Sequence, residues 1–255
     1  MMMSDQGIPT NIEYWLQSSP RVMEPPQGTV LAVSAHPDDI ESEYAGTLAL
    51  AAAAGADVRL LLVTSGDEGD SKGARGWDTR VIGAREIEAL QAARVLGISE
   101  VVFLRYADGA VENTIELRRD IVRGIRTWRP DSVFAYDPLF TLPLYISHPD
   151  HRAVGRATLD AVYPLARYSG AFPDQLAAGL EVHHVASVWM FASAFGSAYV
   201  DIAAVLERKI EARIEHGSQV SDPSMLRANW ERRAESTGQR VGLNAAEAFT
   251  IIDLG

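Results

Sequence analysis

The stretch TVLAVSAHPDDIE, Thr29 to Glu41, decides how this chain is read. Its first part is an unbroken run of small and β-branched apolar residues, the pattern of a strand buried on both faces, as in a parallel sheet. The run stops at His-Pro-Asp-Asp. In open parallel α/β sheets, ligands bind just beyond the carboxyl ends of the strands, so His36, Asp38 and Asp39 stand where chemistry is expected.

The same alternation continues outward. A helix is expected over 41–55, ending at Gly55, then a second buried strand in DVRLLLVTSG and a Gly- and Asp-rich loop in GDEGDSKGARGW. A long helix follows over 79–97, with Ile82, Ile87, Leu90, Ala93 and Leu96 as its apolar stripe. EVVFLRYA reads as a third strand. Residues 114–128 read as a helix capped by Thr114, with Leu117, Ile121, Ile125 and Trp128 inward and Pro130 beyond. SVFAYDP is a fourth strand, and a helix runs from Pro149 to about Arg167.

Strand–helix alternation of this kind predicts an α/β fold, a Rossmann-like, mostly parallel sheet with helices on both faces and a metal site at the carboxyl ends of the strands. After about residue 170 the pattern changes to strands in VASVWMFAS and AYVDI, charged helices near 203–218 and 224–240, and a last apolar run AFTIIDL. Residues 1–28 are broken by four prolines around one short helix near 11–17 and read as an N-terminal extension. No composition break divides the 255 residues, so a single domain is expected: the extension, a core over 29–169, and a C-terminal part over 170–255 that completes it.

His-Pro-Asp occurs a second time in SHPDH, Ser147 to His151. Pro149 suits the first position of a helix, which puts His148 at the N-cap and His151 in the first turn. His36 and Asp39 are three apart and share a face if the chain turns helically there. His36, Asp39 and His151 together are two imidazoles and a carboxylate, a donor set that suits zinc with one position open, or ferrous iron or another divalent ion. The remaining groups fit hydrolysis by a metal-activated water. Asp38 is placed to act as general base, His148 to stabilise an oxyanion or protonate a leaving amine, and Asp150 to fix the tautomer of His148. Taken singly, Asp38, Asp39 or His148 has a plainer reading as a helix cap. The joint set at strand ends favours the metal site.

Bulk properties narrow the partners. The net charge of −11 argues against a broad basic face for nucleic acid, and Arg118, Arg119, Arg123, Arg126 and Arg129 read as a solvated helix face paired with nearby acids. No apolar run is long enough to span a membrane, and MMMSDQGIPTNIEYWLQSSP lacks the pattern of a signal peptide. The absence of Cys excludes disulfides and thiolate metal sites and fits a cytoplasmic setting. The charged late helices allow a homo-oligomer. His183 and His184 are neighbours on an expected strand and point to opposite faces, and His216 reads as a surface or C-capping residue.

AHPDDIE, GTLALAAAAGADVRLLLVTSGDEG, REIEALQAARVLGI, FLRYADG, LRRDIVRGIRTWRPDSVFAYDP and HPDHRAVG together resemble the PIG-L/LmbE family over about residues 29–219. Members are zinc-dependent deacetylases of N-acetylglucosaminyl compounds, in mycothiol, bacillithiol, GPI-anchor and antibiotic pathways. The resemblance implies zinc on His36, Asp39 and His151, Asp38 as general base, and His148 stabilising the oxyanion with Asp150 behind it. It also implies substrate contacts from Glu68, Arg85 and Asp108, whose plainer readings are a loop carboxylate, an ion pair with Glu88 and a turn former. Two departures stand out. Some relatives carry a Tyr two residues before the first His of the second motif, where this chain has Ile146 preceded by Tyr145. SEYAGT, Ser42 to Thr47, stands in place of a Gly-rich run and is expected to reshape the pocket wall.

The expected activity is hydrolytic removal of acetyl from an N-acetylated amino sugar or its glycoside. The alternatives are hydrolysis of another N-acyl amide, such as an acylated antibiotic or thiol conjugate, and a sugar-binding homologue without turnover.

Overall fold

The computed structural model describes residues 19–68, 79–139, 147–193 and 196–255. The expected helix near 11–17, most of the Gly-rich loop, and Tyr145 and Ile146 lie outside these residues.

Eight strands form one sheet among the described residues: β1 Arg21–Val22, β2 Thr29–Ser34, β3 Asp57–Thr64, β4 Glu100–Tyr106, β5 Ser132–Tyr136, β6 Ser187–Phe191, β7 Ala198–Asp201 and β8 Ala246–Asp253. Their spatial order is β1-β7-β8-β6-β5-β2-β3-β4. From β4 to β6 all neighbours are parallel, whereas β8 runs antiparallel to both β6 and β7. The chain winds outward from β2 to β4 and then returns to place β5 on the other side of β2. This reversal of strand order is the switch point at which α/β sheets open a crevice. β2 and β5, which border it, are almost wholly buried, which explains their unbroken apolar runs.

The helices are α1 Asp39–Glu43, α2 Ala45–Ala53, α3 Thr79–Leu96, α4 Ile115–Trp128, α5 Pro149–Val162, α6 Pro173–Ala177, α7 Leu206–Ile214 and α8 Pro223–Gly238. Several differ from expectation for physical reasons. The single helix expected over 41–55 begins earlier and breaks at Tyr44, where φ is −143°. The break frees the amides of Gly46 and Thr47, which donate to the Glu247 carboxylate at 3.0 and 2.7 Å. Tyr44 does not line a pocket wall. It is buried, 4.2 Å from the Phe191 ring and 5.1 Å from the Phe134 ring between centroids. α5 stops at Val162, ahead of Pro164, which has no N–H to continue the ladder.

α3 has the expected extent and part of the expected face, since Ala93 and Leu96 face inward as expected. Ile87 and Leu90 are 59% and 39% exposed, and Arg85, Ala89, Ala92, Ala93 and Leu96 face inward. The small Ala stripe lets the helix pack closely, and the rotation carries Arg85 under the site. α4 follows expectation: the Thr114 hydroxyl accepts from Leu117 N at 3.2 Å, and Arg129 closes the helix in the left-handed region. Arg119 pairs with Asp174 on the surface, as expected for a solvated face. Arg126 is instead buried, and its guanidinium donates to the Leu165, Tyr168 and Ala171 carbonyls at 3.2, 3.1 and 3.0 Å. It ties down the turn that follows α5.

The N-terminal extension is partly structural, since β1 pairs in parallel with β7. His183 and His184 lie in no strand, and His183 Nε2 bonds the Pro130 carbonyl at 2.8 Å.

Candidate active site

A tripod of His36, Asp39 and His151 is built by the end of β2 and the start of α5. β2 delivers His36, and the chain turns at once into α1. The Asp39 carboxylate closes that turn by accepting His36 N–H at 2.6 Å. α5 delivers His151 from its first turn. Its approach depends on Gly155, because a Cβ there would lie 2.6 Å from the Tyr136 carbonyl oxygen. His151 stacks on the Tyr136 ring, 4.3 Å between centroids and 15° between planes.

Donor atoms of three residues converge. His36 Nδ1 lies 3.1 Å from His151 Nε2 and 3.3 Å from Asp39 Oδ2, and His151 Nε2 lies 3.2 Å from Asp39 Oδ1. Donors about 2.0–2.2 Å from a tetrahedral ion lie on the order of 3.3 Å from one another, so the set fits a zinc-sized ion. The other nitrogen of His36 is held from behind. Its Nε2 is 3.1 Å from Asp108 Oδ1 and 3.4 Å from Asp150 Oδ2, the carboxylate–imidazole arrangement that orients a metal-binding histidine. Two other groupings exist: donor atoms of His36, His148 and His151 lie within 4.8 Å of one another, as do those of His36, Asp108 and Asp150. The Asp39 set leaves Nε2 of His36 to its carboxylates.

Electrostatics agree with a cation site. Burial pulls the His36 imidazolium down, but the Asp39 charge and hydrogen bonds to Asp108 and Asp150 outweigh it and raise its pKa well above the usual value. Burial pushes the Asp39 carboxyl up, but His151 and His36 outweigh it and hold it well below the ordinary range.

Asp38 stands at the N-cap position of α1, yet its side chain makes no capping bond. Its two oxygens instead accept from two guanidinium groups, Arg85 Nη2 at 2.8 Å and Arg213 Nη2 at 2.9 Å. The cap reading of Asp38 is thereby set aside. His148 does cap α5: its Nδ1 accepts from Asp150 N at 3.4 Å, which leaves the proton on Nε2. Burial first, then the charge on His36, keeps its pKa below the usual value, so the ring is a neutral N–H donor.

Asp150 differs from expectation. Its carboxylate is 4.0 Å from His148 Nδ1, too far to set that tautomer. It accepts from Gly109 N at 2.8 Å and from Val111 N at 3.3 Å, and faces His36. Burial pushes its carboxyl up, but His36 and the Gly109 amide hold it below the ordinary range. The amide of Asp150 serves His148, and its carboxylate serves His36.

Arg85 and Asp108 join the site through the catalytic groups. Arg85 bonds Asp38 and the Gly66 carbonyl at 2.9 Å, not Glu88, which accepts from Ser218. Asp108 bonds His36 and accepts from Glu68 N at 3.2 Å. The Glu68 side chain is exposed at the rim.

Arg213 was not singled out from the sequence. It belongs to a row on α7 and just beyond, Lys209, Arg213 and His216, spaced to share one helix face. Each meets a carboxylate: Lys209 Nζ at 2.6 Å from Glu247, Arg213 at Asp38, and His216 Nε2 at 3.5 Å from Glu41. His216 is wholly buried rather than on the surface. The spacing K-x3-R-x2-H was the available signal.

Comparison with known proteins places this geometry. The family model described as PIG-L: GlcNAc-PI de-N-acetylase matches residues 31–162. The chain belongs to the PIG-L family. The matched segment holds the tripod, Asp38, His148 and Asp150 and ends before α7 and α8. A diacetylchitobiose deacetylase of Thermococcus kodakarensis is 34% identical over 190 residues, 74% of this chain and 69% of that protein. A probable N-acetyl-alpha-D-glucosaminyl L-malate deacetylase 2 of Bacillus anthracis is 28% identical over 74% of this chain and 80% of its own. Among solved structures, the N,N'-diacetylchitobiose deacetylase of Pyrococcus horikoshii with an inhibitor superposes with a TM-score of 0.82 at 26% identity, covering 88% of this chain and 84% of that one. The PIG-L fold thus extends over the mostly parallel sheet and its flanking helices.

Proposed function

We propose that the protein is a zinc-dependent deacetylase that removes the acetyl group from an N-acetylglucosamine-type sugar or its glycoside. The observation that carries this reading is the pairing of a three-donor tripod with Asp38, held beside it by two arginines. The named relatives, deacetylases of N-acetylated sugars, support the same substrate class.

When bound, zinc supplies Lewis acidity that lowers the pKa of a water and polarises the amide carbonyl. Asp38 takes the proton of the attacking water and hands it to the departing amine as the C–N bond breaks. Arg85 and Arg213 fix the direction in which its oxygens point. His148 Nε2–H donates to the developing oxyanion. Asp108 and Asp150 keep His36 in the tautomer that leaves Nδ1 free to bind the ion. Glu68 offers a carboxylate to sugar hydroxyls at the rim. A reducing, cytoplasmic setting is part of this reading, supported by the lack of Cys. No helix among the described residues is long and apolar enough to cross a membrane.

The test is acetate release from a panel of N-acetylglucosamine glycosides, with chelated protein and Asp38→Asn as controls. Release that requires both metal and Asp38 is expected. Metal bound at one equivalent with no release from any member would overturn the substrate assignment.

A further inference from the structure

Thr64, the last residue of β3, is wholly buried. Its amide and its hydroxyl both donate to the Ala35 carbonyl, at 2.9 and 2.8 Å. Ala35 immediately precedes His36, so these bonds carry the pairing of β2 and β3 past its last ladder pair, Ser34 and Leu62. The same hydroxyl accepts from Gly66 N at 3.1 Å. A Thr side chain bonded to the amide two residues on bends the chain there into a tight turn.

This turn is the seat of Arg85. Gly66 has a φ of 69°, in the left-handed region that glycine adopts freely. A Cβ at Gly66 would lie 2.1 Å from Arg85 Nη1. The buried guanidinium therefore rests on bare backbone, where Nη1 donates to the Gly66 carbonyl at 2.9 Å and Nη2 donates to Asp38 Oδ1 at 2.8 Å. Ser65 Oγ donates to Glu86 Oε1 at 2.6 Å, which ties the turn to α3 beside Arg85. A single bond to Asp38 would leave the guanidinium plane free to swing, and the second bond at Gly66 fixes it.

A plainer role for Thr64 is to satisfy its own buried hydroxyl, and the Ala35 carbonyl alone does that. The bond from Gly66 is additional, and it is the one that leads to Asp38. Without the hydroxyl, the buried Gly66 N–H loses its acceptor, the turn relaxes, and the Gly66 carbonyl moves away from Arg85.

We infer that Thr64 is a positioning residue for Asp38, acting through the Gly66 carbonyl and the Arg85 guanidinium. The inference rests on the deacetylase reading, in which Asp38 is the general base.

The test compares wild type with Thr64→Val, which keeps the shape and removes the hydroxyl, and with Thr64→Ser, which keeps the hydroxyl. Thermal melts check folding. The first readout is the arginine side-chain spectrum by nitrogen NMR. The Arg85 guanidinium, identified by its absence from Arg85→Lys, should give a slowly exchanging signal in wild type. Thr64→Val should lose that signal and Thr64→Ser should keep it. Gly66→Ala, which crowds Nη1 directly, should lose it as well, and it stands in where Thr64→Val does not fold. The second readout is acetate release. Thr64→Val should lower kcat about tenfold with zinc content at one equivalent and KM within about twofold, and Thr64→Ser should recover most of the loss. In an Arg85→Ala background, Thr64→Val should change kcat by less than about twofold, because the group it acts through is gone. An Arg85 signal untouched by Thr64→Val or by Gly66→Ala, or a full effect of Thr64→Val on top of Arg85→Ala, would overturn the inference. A wild type that releases no acetate would overturn the deacetylase reading, and the arginine spectrum would then decide by itself whether Thr64 holds Arg85 on Asp38.

Discussion

The tripod comes from two short segments, 36–39 and the first turn of α5, whereas the groups that brace it are drawn from across the chain, with Lys209, Arg213 and Glu247 coming from residues 203–247. The first region is set by short-range geometry. A strand ends, a helix begins, and His36, Asp39 and His151 are delivered to the switch point between β2 and β5. The second region depends on contacts between distant parts of the chain. Glu247 caps α2 from 200 positions away and Arg213 reaches back to Asp38. One region brings the donor set together, and the other braces the groups around it.

Substitutions can break or sharpen that contrast. Asp38→Asn should lower kcat by roughly 10²–10⁴ while metal content stays at one equivalent, since it removes a general base and no donor atom. Undiminished turnover would remove Asp38 from the chemistry. Glu247→Ala should cost about 3–5 kcal/mol in denaturant unfolding, because Lys209 is left buried and unpaired and α2 loses its acceptor. A loss below about 1 kcal/mol would show that the C-terminal region does not brace the site. Arg213→Ala should lower kcat about 10- to 100-fold with little change in KM, from one charge-assisted bond lost at Asp38, and Arg213→Lys should recover part of it. A rise in KM alone would make Arg213 a substrate contact instead. Ile87→Ser should leave stability within about 0.5 kcal/mol, because the residue lies on the solvent side of α3.

The same contrast explains what could be read from the sequence. β2 and β5 were legible because a strand buried on both faces writes an unbroken apolar run. The convergence of His36, Asp39 and His151 was legible because strand ends in a parallel sheet share one edge. The break at Tyr44 was not, since its cause, Glu247, lies on β8. The inward stripe of α3 was right at Ala93 and Leu96 and wrong at Ile87 and Leu90, because larger Ile and Leu side chains outweighed the neighbouring Ala89 and Ala92, although Ala packs closest. Arg126 and His216 looked like surface residues because their partners, a ring of carbonyls and Glu41, have no signature in the local sequence.

The site is defined by which three donors hold the ion. The direct measurement is zinc content and affinity of wild type beside His151→Ala, Asp39→Ala and His148→Ala, each checked for folding by thermal melt. One equivalent in wild type and in His148→Ala, with loss of tight binding in His151→Ala and Asp39→Ala, is the predicted result. Loss of zinc in His148→Ala with retention in Asp39→Ala would contradict it and shift the site to the three histidines.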